Sequence, residues 1–221
     1  MENNMIQMER PMHIAIAGNI GSGKTTLTSV LSKRYKWESH YEDADDNPYL
    51  IPFYANMSEW SFKLQVHFLN SRFEQVQAIR QSGKTCIQDR TVYEDYELFA
   101  RNLYKSKLMT ELDYNTYVGL FNNMSPFMSP PDLLICLRVP IPTLMQQIVK
   151  RAGEQPKRKH EADIDPDYVN NLNRQYYEWF DRYDKGRKII IDVKGDFSDP
   201  EYQKIIFPII EREILQLQMA A

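Results

Sequence analysis

The chain has 221 residues, of which 43% are hydrophobic, and its formal net charge at pH 7 is −3. This length suffices for one large domain or two small ones, with a hydrophobic core. The slightly acidic balance provides no basic field that would coat a nucleic acid, so the composition favours a small-molecule substrate.

The cysteines and apolar runs predict a cytoplasmic protein. Cys86 and Cys136 each lie in a short apolar run, which favours free, buried thiols in a reducing compartment over a disulfide or a metal pair. No window contains the roughly 18 consecutive apolar residues that a membrane span needs. Residues 1–11 lack the apolar run of a signal peptide and read as a loose leader before the first strand.

The first half of the chain begins with a strand and continues mainly as helix. HIAIAG at 13–18 predicts a short strand, and a helix is expected over 24–35. ESHYE at 38–42 is a second strand with weak apolar content. A long helix follows at 58–83, where apolar residues recur at helical spacing and Gly83 is placed as the C-terminal cap.

Three further apolar runs, at 85–89, 133–137 and 188–192, have the composition of strands buried on both faces. Helices are expected between and after the strands, at about 93–104, at about 111–124, after Pro142, from an Asp165 N-cap followed by Pro166 to about Gly186, and from Asp199. Alternating strands and helices predict one α/β domain over residues 1–221, a five-stranded parallel sheet covered by helices on both faces, with ligands at the carboxyl ends of its strands.

A phosphate-binding loop follows the first strand. GNIGSGKT at 18–25 matches the pattern G-x-x-x-x-G-K-[ST] in full. The glycines let backbone N–H groups converge on an anion, Lys24 supplies a charge for the β- and γ-phosphates, and the Thr25 hydroxyl is a ligand for Mg²⁺. A chance match is the alternative, but the preceding strand and following helix meet the required context. The predicted ATP-binding residues of the loop are Gly18, Asn19, Ile20, Gly21, Ser22, Gly23, Lys24, Thr25 and Thr26.

The loop says little about the phosphate acceptor. A GTPase would carry an N-K-x-D motif, which is missing from the sequence, and a transport or helicase ATPase usually has a larger chain. A small kinase is therefore favoured. Transfer to a hydroxyl requires a carboxylate near the proton and cations on the developing charge.

Two strand ends supply candidate catalytic groups. Glu42, at the carboxyl end of the second predicted strand, is placed as a general base, although it also belongs to an acidic cluster typical of a solvated loop. Asp89 and Arg90 close another strand, so Asp89 reads as an acid near Mg²⁺ or near the acceptor hydroxyl. Arg90 would hold the phosphate or the acceptor oxygen. The alternative for this pair is a salt bridge at a strand end.

A basic segment late in the chain predicts a lid. Residues 150–162 form a polar loop in which Arg151, Lys157, Arg158 and Lys159 would close over the triphosphate and exclude water. A solvated charged surface is the alternative interpretation.

The long helix carries polar groups on an apolar stripe. Gln65 and Arg72 are two turns apart and share a face, where burying them without partners is costly. An amide offers both a donor and an acceptor, which is what the edge of a nucleobase requires. Asp95 is a plausible partner for Arg72, and a purely structural ion pair is the alternative.

Several spaced blocks in this order resemble the deoxyribonucleoside kinase family, in the branch of the deoxyadenosine, deoxyguanosine and deoxycytidine kinases. The likeness runs from the glycine loop to about Tyr168. It includes IPFYANMSEWSFKLQVHFLNSR, DRTVYEDYELFA and HEADIDPDYV, which look like the base-binding helix, the acid–arginine block and the lid exit of the family. The resemblance implies a P-loop kinase fold with a short basic lid.

The resemblance also implies roles for single residues. Glu42 matches the carboxylate beside the sugar 5′-hydroxyl, Arg90 the arginine next to it, and Asp89 the acid assigned to Mg²⁺ or to proton acceptance; sequence leaves open which carboxylate takes the proton. Arg151 and Arg158 match lid arginines that bind ATP. The implied substrate-binding residues are Glu42 and Arg90, Tyr54 and Glu161 at the 3′-hydroxyl, Gln65 and Phe99 at the base, and the pair Arg72 and Asp95 beyond it.

The resulting prediction is a kinase that uses ATP and Mg²⁺ to phosphorylate the 5′-hydroxyl of a deoxyribonucleoside, with deoxyadenosine first among the acceptors. Deoxyguanosine and deoxycytidine remain alternatives, as do a nucleoside monophosphate kinase and a non-catalytic nucleotide sensor. The resemblance implies a homodimer and neither a nucleic-acid nor a membrane partner. Residues 93–128 could supply the helical face of the dimer, and a place in the core is the equal alternative.

Overall fold

The computed structural model of the protein describes residues 9–42 and 46–219. Its centre is a five-stranded sheet with the order β2-β3-β1-β4-β5, in which every neighbouring pair is parallel. The sequence prediction of a five-stranded parallel sheet is therefore confirmed. The strands are β1 (His13–Gly18), β2 (Glu38–His40), β3 (Cys86–Asp89), β4 (Leu133–Arg138) and β5 (Arg187–Asp192).

Helices connect the strands, as parallel pairing requires. They are α1 (Lys24–Tyr35), α2 (Leu50–Ala55), α3 (Met57–Ser82), α4 (Val92–Glu94), α5 (Arg101–Lys105), α6 (Glu111–Met124), α7 (Ile141–Glu154), α8 (Pro166–Arg182) and α9 (Pro200–Met219). Asp95–Ala100 is a π-helical segment between α4 and α5, and 3₁₀ turns occur at Ser125–Phe127 and Pro156–Asp163.

The core lies on both faces of the sheet because successive residues of β1 point in opposite directions. Ile14 and Ile16 belong to a cluster with side chains of α1 and α9. Ala15 and Ala17 belong to the opposite cluster, which includes α3 and α8. The predicted two-sided covering is confirmed. The free, buried state of Cys86 and Cys136 also agrees with prediction.

Two helix boundaries follow the predicted signals. Gly83 caps α3 in the left-handed conformation at φ 64°, and the Asp165 side chain accepts a hydrogen bond from the Asp167 N–H at the start of α8. The α8 helix ends at Arg182 rather than near Gly186. Within the described residues, no helix is long and apolar enough to cross a membrane.

Two local predictions were wrong. The second strand covers only Glu38–His40, so Glu42 lies beyond the strand rather than at its last residue. The predicted helix at 93–104 is present, but its middle part, Asp95–Ala100, is π-helical. The lid is largely helical: α7 continues to Glu154, and the basic stretch after it forms the 3₁₀ turn Pro156–Asp163. Of the predicted leader, residues 1–8 lie outside the described residues, as do Asp43 and Asp45 of the acidic cluster.

Candidate active site

The glycine loop turns sharply between β1 and α1. Gly21 and Gly23 have φ values of 77° and 87°, in the left-handed region that residues with a side chain rarely adopt. A Cβ atom on Gly21 would also lie 2.9 Å from the backbone oxygen of Leu144. The turn aims the N-terminus of α1 at the space in front of the loop, where an anion is favoured.

Lys24 is the buried cation of this loop. Its side chain is 6% exposed, and Nζ donates to the backbone oxygens of Gly18 at 2.9 Å and Asn19 at 3.0 Å. Burial and the nearby charge of Arg90 lower the pKa of Lys24 to about 8, although Asp89, Glu94 and Glu42 oppose the shift. An anionic ligand would therefore find a lysine whose charge is poorly compensated.

A cavity of about 510 Å³ lies in front of the loop. It is bounded by α7 and by the segment after β5, and its walls include most of the predicted ATP-binding residues: Gly21, Ser22, Gly23, Lys24, Thr25, Thr26, Arg151 and Arg158. We call it the donor cavity. The Asn19 side chain has a different role: its amide donates to the Val169 oxygen at 3.0 Å and ties the loop to α8.

A second cavity, of about 410 Å³, adjoins the donor cavity at the glycine loop. We call it the acceptor cavity; both cavities are lined by Gly21, Lys24, Thr25, Arg151 and Arg158. Of the predicted substrate-binding residues, those that line it are Glu42, Tyr54, Gln65, Arg90, Asp95, Phe99 and Glu161. Ile20 and Asp89 line it as well. Sequence reasoning therefore selected residues from five separate segments that the fold brings together.

Glu42 sits among cations at the edge of the acceptor cavity. Its Oε2 is 3.3 Å from Arg90 Nε, and its Oε1 is 3.2 Å from an Arg72 nitrogen. Burial alone would raise the pKa of Glu42, but the charges of Arg90, Arg72 and Lys24 outweigh burial and lower the pKa to about 2. Glu42 is thus ionised at neutral pH and can accept a hydrogen bond from a hydroxyl group.

Arg72, a predicted substrate-binding residue, does not line the acceptor cavity but contacts two residues that do, Glu42 and Asp95. Its side chain has no exposed surface, and Nε lies 3.5 Å from Asp95 Oδ2. The predicted pairing with Asp95 is present, but the contact with Glu42 is shorter. Removing one residue of these ion pairs would leave a buried charge without its partner, which typically lowers the free energy of unfolding by about 3–5 kcal/mol.

Two buried acceptors mark the far end of the acceptor cavity. The Gln65 amide oxygen has no hydrogen-bond partner, and Asp95 Oδ2 has no hydrogen bond beside its 3.5 Å ion pair with Arg72. Gln65 is 2% exposed. Burial raises the pKa of Asp95 to about 7, although Arg72 and Arg90 oppose this shift. Because buried polar groups are nearly always paired, these atoms are suited to contacts with a polar ligand.

Thr25 and Asp89 lie close together at the junction of the two cavities. The Thr25 hydroxyl donates to Asp89 Oδ2 at 2.6 Å, and Asp89 Oδ1 is buried without a partner. A hydroxyl and a carboxylate are hard oxygen donors of the kind that Mg²⁺ prefers. The residues present therefore fit a magnesium ion bound together with a nucleotide.

The lid closes one side of the acceptor cavity through Glu161. This glutamate is 2% exposed, and its two oxygens accept from Arg151 Nε at 2.9 Å and from Arg158 Nη1 at 3.0 Å. The Tyr54 ring lies 5.0 Å from the His160 ring. Burial raises the pKa of Tyr54 above its ordinary range, so its hydroxyl stays protonated. The lid thus brings the Glu161 carboxylate to the cavity that the Tyr54 phenol of α2 also lines.

The sequence model of the deoxynucleoside kinase family matches residues 14–214, which include every element from β1 into α9. The chain belongs to the deoxynucleoside kinase family. Deoxyadenosine kinase of Dictyostelium discoideum is 40% identical over 189 residues, covering 86% of this chain and 75% of that protein. Deoxyadenosine/deoxycytidine kinase of Bacillus subtilis is 36% identical over 168 residues, covering 75% of each chain.

A solved structure agrees with this family membership. The deoxyadenosine kinase from M. mycoides with products dCMP and a flexible dCDP bound superposes with a TM-score of 0.79 at 30% identity, covering 91% of this chain and all of that one. The P-loop kinase fold and the family predicted from the sequence are therefore confirmed.

Sequence reasoning missed several polar residues of this deoxynucleoside kinase site: Ser29, Tyr41 and Tyr168 in the cavity lining, and Glu94 and Tyr176 behind it. Glu94 and Tyr176 both contact Arg90, at 3.3 Å and 2.6 Å. Thr91 and Glu94 have the spacing of a capping box, a signal that identifies a helix start but not an active-site contact. Tyr176 is one of several aromatic residues at core spacing along α8, so its sequence context predicts only packing. The missed apolar lining includes Leu50, Phe53, Leu64 and Phe68.

Proposed function

We propose that the chain transfers the γ-phosphate of ATP to the 5′-hydroxyl of a deoxyribonucleoside and that deoxyadenosine is the preferred acceptor. The observation that carries the proposal is the acceptor cavity beside the glycine loop, where Gln65 presents a buried amide oxygen without a partner. The preference for deoxyadenosine rests on the relatives of the chain, which include deoxyadenosine kinases.

In the proposed mechanism the glycine loop and Lys24 hold the triphosphate in the donor cavity, with Arg151 and Arg158 above it. Thr25 and Asp89 are the proposed ligands of Mg²⁺, which when bound would neutralise charge on the phosphate oxygens. Glu42 accepts the hydrogen bond of the 5′-hydroxyl and orients the oxygen for attack. Because phosphoryl transfer has a loose transition state, the hydroxyl proton can leave late, so a carboxylate of low pKa suffices.

The other residues of the acceptor cavity are proposed to bind the sugar and the base of the nucleoside. Tyr54 and Glu161 are proposed partners of the 3′-hydroxyl, and Phe99 is proposed to pack against the base. Gln65 would pair with the base edge, and Asp95, held by Arg72, would accept from an exocyclic amino group. Adenine carries this amino group at carbon 6 and cytosine at carbon 4, whereas guanine has an oxygen at carbon 6 and its amino group at carbon 2. Deoxycytidine is therefore the nearest alternative, and deoxyguanosine follows.

The charges of the acceptor cavity favour a neutral hydroxyl over a phosphate as acceptor. Each arginine in its lining is paired with a carboxylate within the described residues: Arg90 with Glu42, and Arg151 and Arg158 with Glu161. A nucleoside monophosphate kinase needs unpaired cations for the phosphate of its acceptor. This pairing argues against that alternative. A cytoplasmic location and a homodimer are retained as parts of the proposal.

The test is a competition among the four deoxynucleosides with radiolabelled ATP and Mg²⁺, using wild type and Glu42→Gln. Deoxyadenosine should be phosphorylated first, and the variant should lose roughly 100-fold or more in kcat, the range of general base catalysis. Glu74→Gln is the matched control, because it makes the same chemical change at an exposed position of α3 that does not line the acceptor cavity. If no deoxynucleoside is phosphorylated, the proposed kinase activity is contradicted. If a different deoxynucleoside is phosphorylated first, only the preference for deoxyadenosine is contradicted.

A further inference from the structure

Glu94 joins the glycine loop to the acceptor side of the site. Its side chain has no exposed surface, and its carboxylate accepts hydrogen bonds on both oxygens. A buried carboxylate with several donors is held in one position, and the groups that donate to it are held as well. The two oxygens of Glu94 serve different parts of the molecule.

The Oε2 atom of Glu94 completes a helix cap. It accepts from the Thr91 backbone N–H at 2.7 Å and lies 3.2 Å from the Thr91 hydroxyl. The Glu94 N–H is in turn 3.3 Å from that hydroxyl, so the pair forms a reciprocal capping box at the start of α4. This oxygen stabilises local structure only.

The Oε1 atom of Glu94 faces the site instead. It accepts from the Gly18 N–H at 3.1 Å, at the point where β1 passes into the glycine loop. It also lies 3.3 Å from Arg90 Nη1. One carboxylate oxygen of Glu94 therefore contacts both the Gly18 N–H of the glycine loop and the guanidinium of Arg90. The same guanidinium pairs with Glu42.

Tyr176 provides a second route between the same groups. Its hydroxyl accepts from Arg90 Nη1 at 2.6 Å and donates to Glu94 Oε1 at 2.9 Å. Arg90 thus has Nη1 fixed by Glu94 and Tyr176 while Nε is 3.3 Å from Glu42. Its backbone has φ 72°, a left-handed conformation that persists only when the surroundings impose it.

We propose that Glu94 is a positioning residue that holds the glycine loop and the Arg90–Glu42 pair at a fixed separation, so that the γ-phosphate and the acceptor hydroxyl meet in line. The proposal rests on the kinase activity proposed above. In-line transfer is sensitive to placement, since a displacement of about 1 Å can cost roughly 100-fold in rate. Glu94 touches neither substrate and acts through Gly18 and Arg90.

The experiment compares a variant of Glu94 with two variants that each remove one of its hydroxyl partners. Glu94→Gln keeps the volume but removes the charge, Tyr176→Phe removes the hydroxyl on the Oε1 side, and Thr91→Val removes the hydroxyl on the Oε2 side. Steady-state kinetics with ATP and deoxyadenosine are measured for each, together with the thermal unfolding midpoint. Thr91→Val is the matched control for a purely structural role.

We expect kcat of Glu94→Gln to fall between about tenfold and 100-fold, with both KM values changing less than about threefold. Tyr176→Phe should show a smaller fall of the same kind. The double variant should lose less than the product of the two single losses, because both act on Arg90. Thr91→Val should lower the unfolding midpoint and keep the kcat of wild type.

A Glu94→Gln protein with the kcat of wild type and a lowered midpoint would reduce Glu94 to a helix cap and overturn the proposal. A rise in KM for one substrate with unchanged kcat would also overturn it. If Glu94→Gln does not fold, the proposal is tested by Tyr176→Phe. A reduced kcat of Tyr176→Phe supports the proposal, and an unchanged kcat refutes it. Wild type is assayed in the same series, and its inactivity toward every deoxynucleoside would contradict the kinase function itself rather than the positioning role.

Discussion

Lys24 and Asp95 are buried in opposite ends of the site, and burial moves both pKa values toward neutrality. The pKa of Lys24 is lowered to about 8 and that of Asp95 is raised to about 7. In each case burial is the largest cause, because it disfavours the charged form. The ligand-free site therefore contains two groups whose charge can respond to a bound nucleotide or nucleoside.

The first prediction concerns proton uptake when ATP binds. A triphosphate favours charged Lys24, so its pKa rises on binding, and at pH 8 about half a proton should be taken up per ATP. Titration calorimetry at pH 8 in buffers of different ionisation enthalpy measures this uptake. Lys24→Met provides the matched baseline, and equal uptake by wild type and variant would show that the pKa of Lys24 is not lowered.

The second prediction concerns the pH dependence of base choice. Asp95 is mostly protonated below its pKa of about 7 and ionised above it. The ionised form accepts from the amino group of adenine, whereas the protonated form can donate to the guanine oxygen. From pH 6 to pH 8 the ionised fraction rises about tenfold and the protonated fraction falls about tenfold, so the ratio of kcat/KM for deoxyadenosine to that for deoxyguanosine should rise about 100-fold.

Asp95→Asn is the control for this pH effect, because it keeps the size of the side chain and cannot titrate. Its acceptor ratio should be nearly constant over the same range. A pH dependence that persists unchanged in the variant would assign the effect to another group. Kinetics with each nucleoside alone, at saturating ATP, provide the ratio.

At the scale of elements, the lid connects the two cavities. Glu161 holds Arg151 and Arg158, which line both the donor cavity and the acceptor cavity. The 3₁₀ turn Pro156–Asp163 carries Arg158 and Glu161 together, so a contact of Glu161 with the sugar would also affect the lid arginines. The lid is the element through which the nucleoside can influence triphosphate binding.

The third prediction tests the 3′-hydroxyl contact of this element. Wild type should prefer deoxyadenosine over 2′,3′-dideoxyadenosine by roughly tenfold to 100-fold in kcat/KM, which corresponds to about 1.5–3 kcal/mol for a hydrogen bond to a charged group. Glu161→Gln should narrow this preference. Asp163→Asn makes the same chemical change at an exposed position of the same turn and should retain it. Equal preference in all three proteins would exclude Glu161 as the 3′-hydroxyl partner.

The elements also show which features a sequence can predict. The glycine loop and the apolar strands were predictable because short-range patterns determine them, and the family resemblance pointed to Gln65 and Glu161. The π-helical segment could not be predicted in the same way. Asp95–Ala100 has an ordinary helical composition, and the segment packs against α3 and α8, which are distant in sequence. Glu94 and Tyr176 were missed for a related reason: their function arises from a contact between residues 82 positions apart.

At the scale of the whole molecule, exposed apolar residues occur on α6 with the turn after it and on α9. Leu112 and Leu120 on α6 are 77% and 38% exposed, and Phe127 after it is 61% exposed. All three fall in residues 93–128, the region expected from sequence to supply a dimer face. Apolar groups on one surface are suited to association with a second copy.

The fourth prediction tests that surface by sedimentation velocity. Wild type should sediment as a dimer, and the double variant Leu112→Glu with Leu120→Glu should sediment as a monomer, because buried charges destabilise an apolar interface. Ile205→Glu introduces the same charge on α9 at another exposed position and should remain dimeric. A monomeric wild type would contradict the proposed homodimer, and a dimeric double variant would place the interface elsewhere.

The contacts that complete the site join distant parts of the chain. Asn19 bonds to Val169 across 150 positions, and Arg90 bonds to Tyr176 across 86. During synthesis on a ribosome, the glycine loop emerges long before α8. The Glu94–Arg90 pair therefore lacks its contact with the Tyr176 hydroxyl until α8 has been synthesised. Because α8 holds the glycine loop through the Asn19–Val169 hydrogen bond, we expect a nascent chain to bind nucleotide less well until α8 has left the exit tunnel. Ribosome-bound chains stalled before and after α8 should accordingly differ in ATP retention.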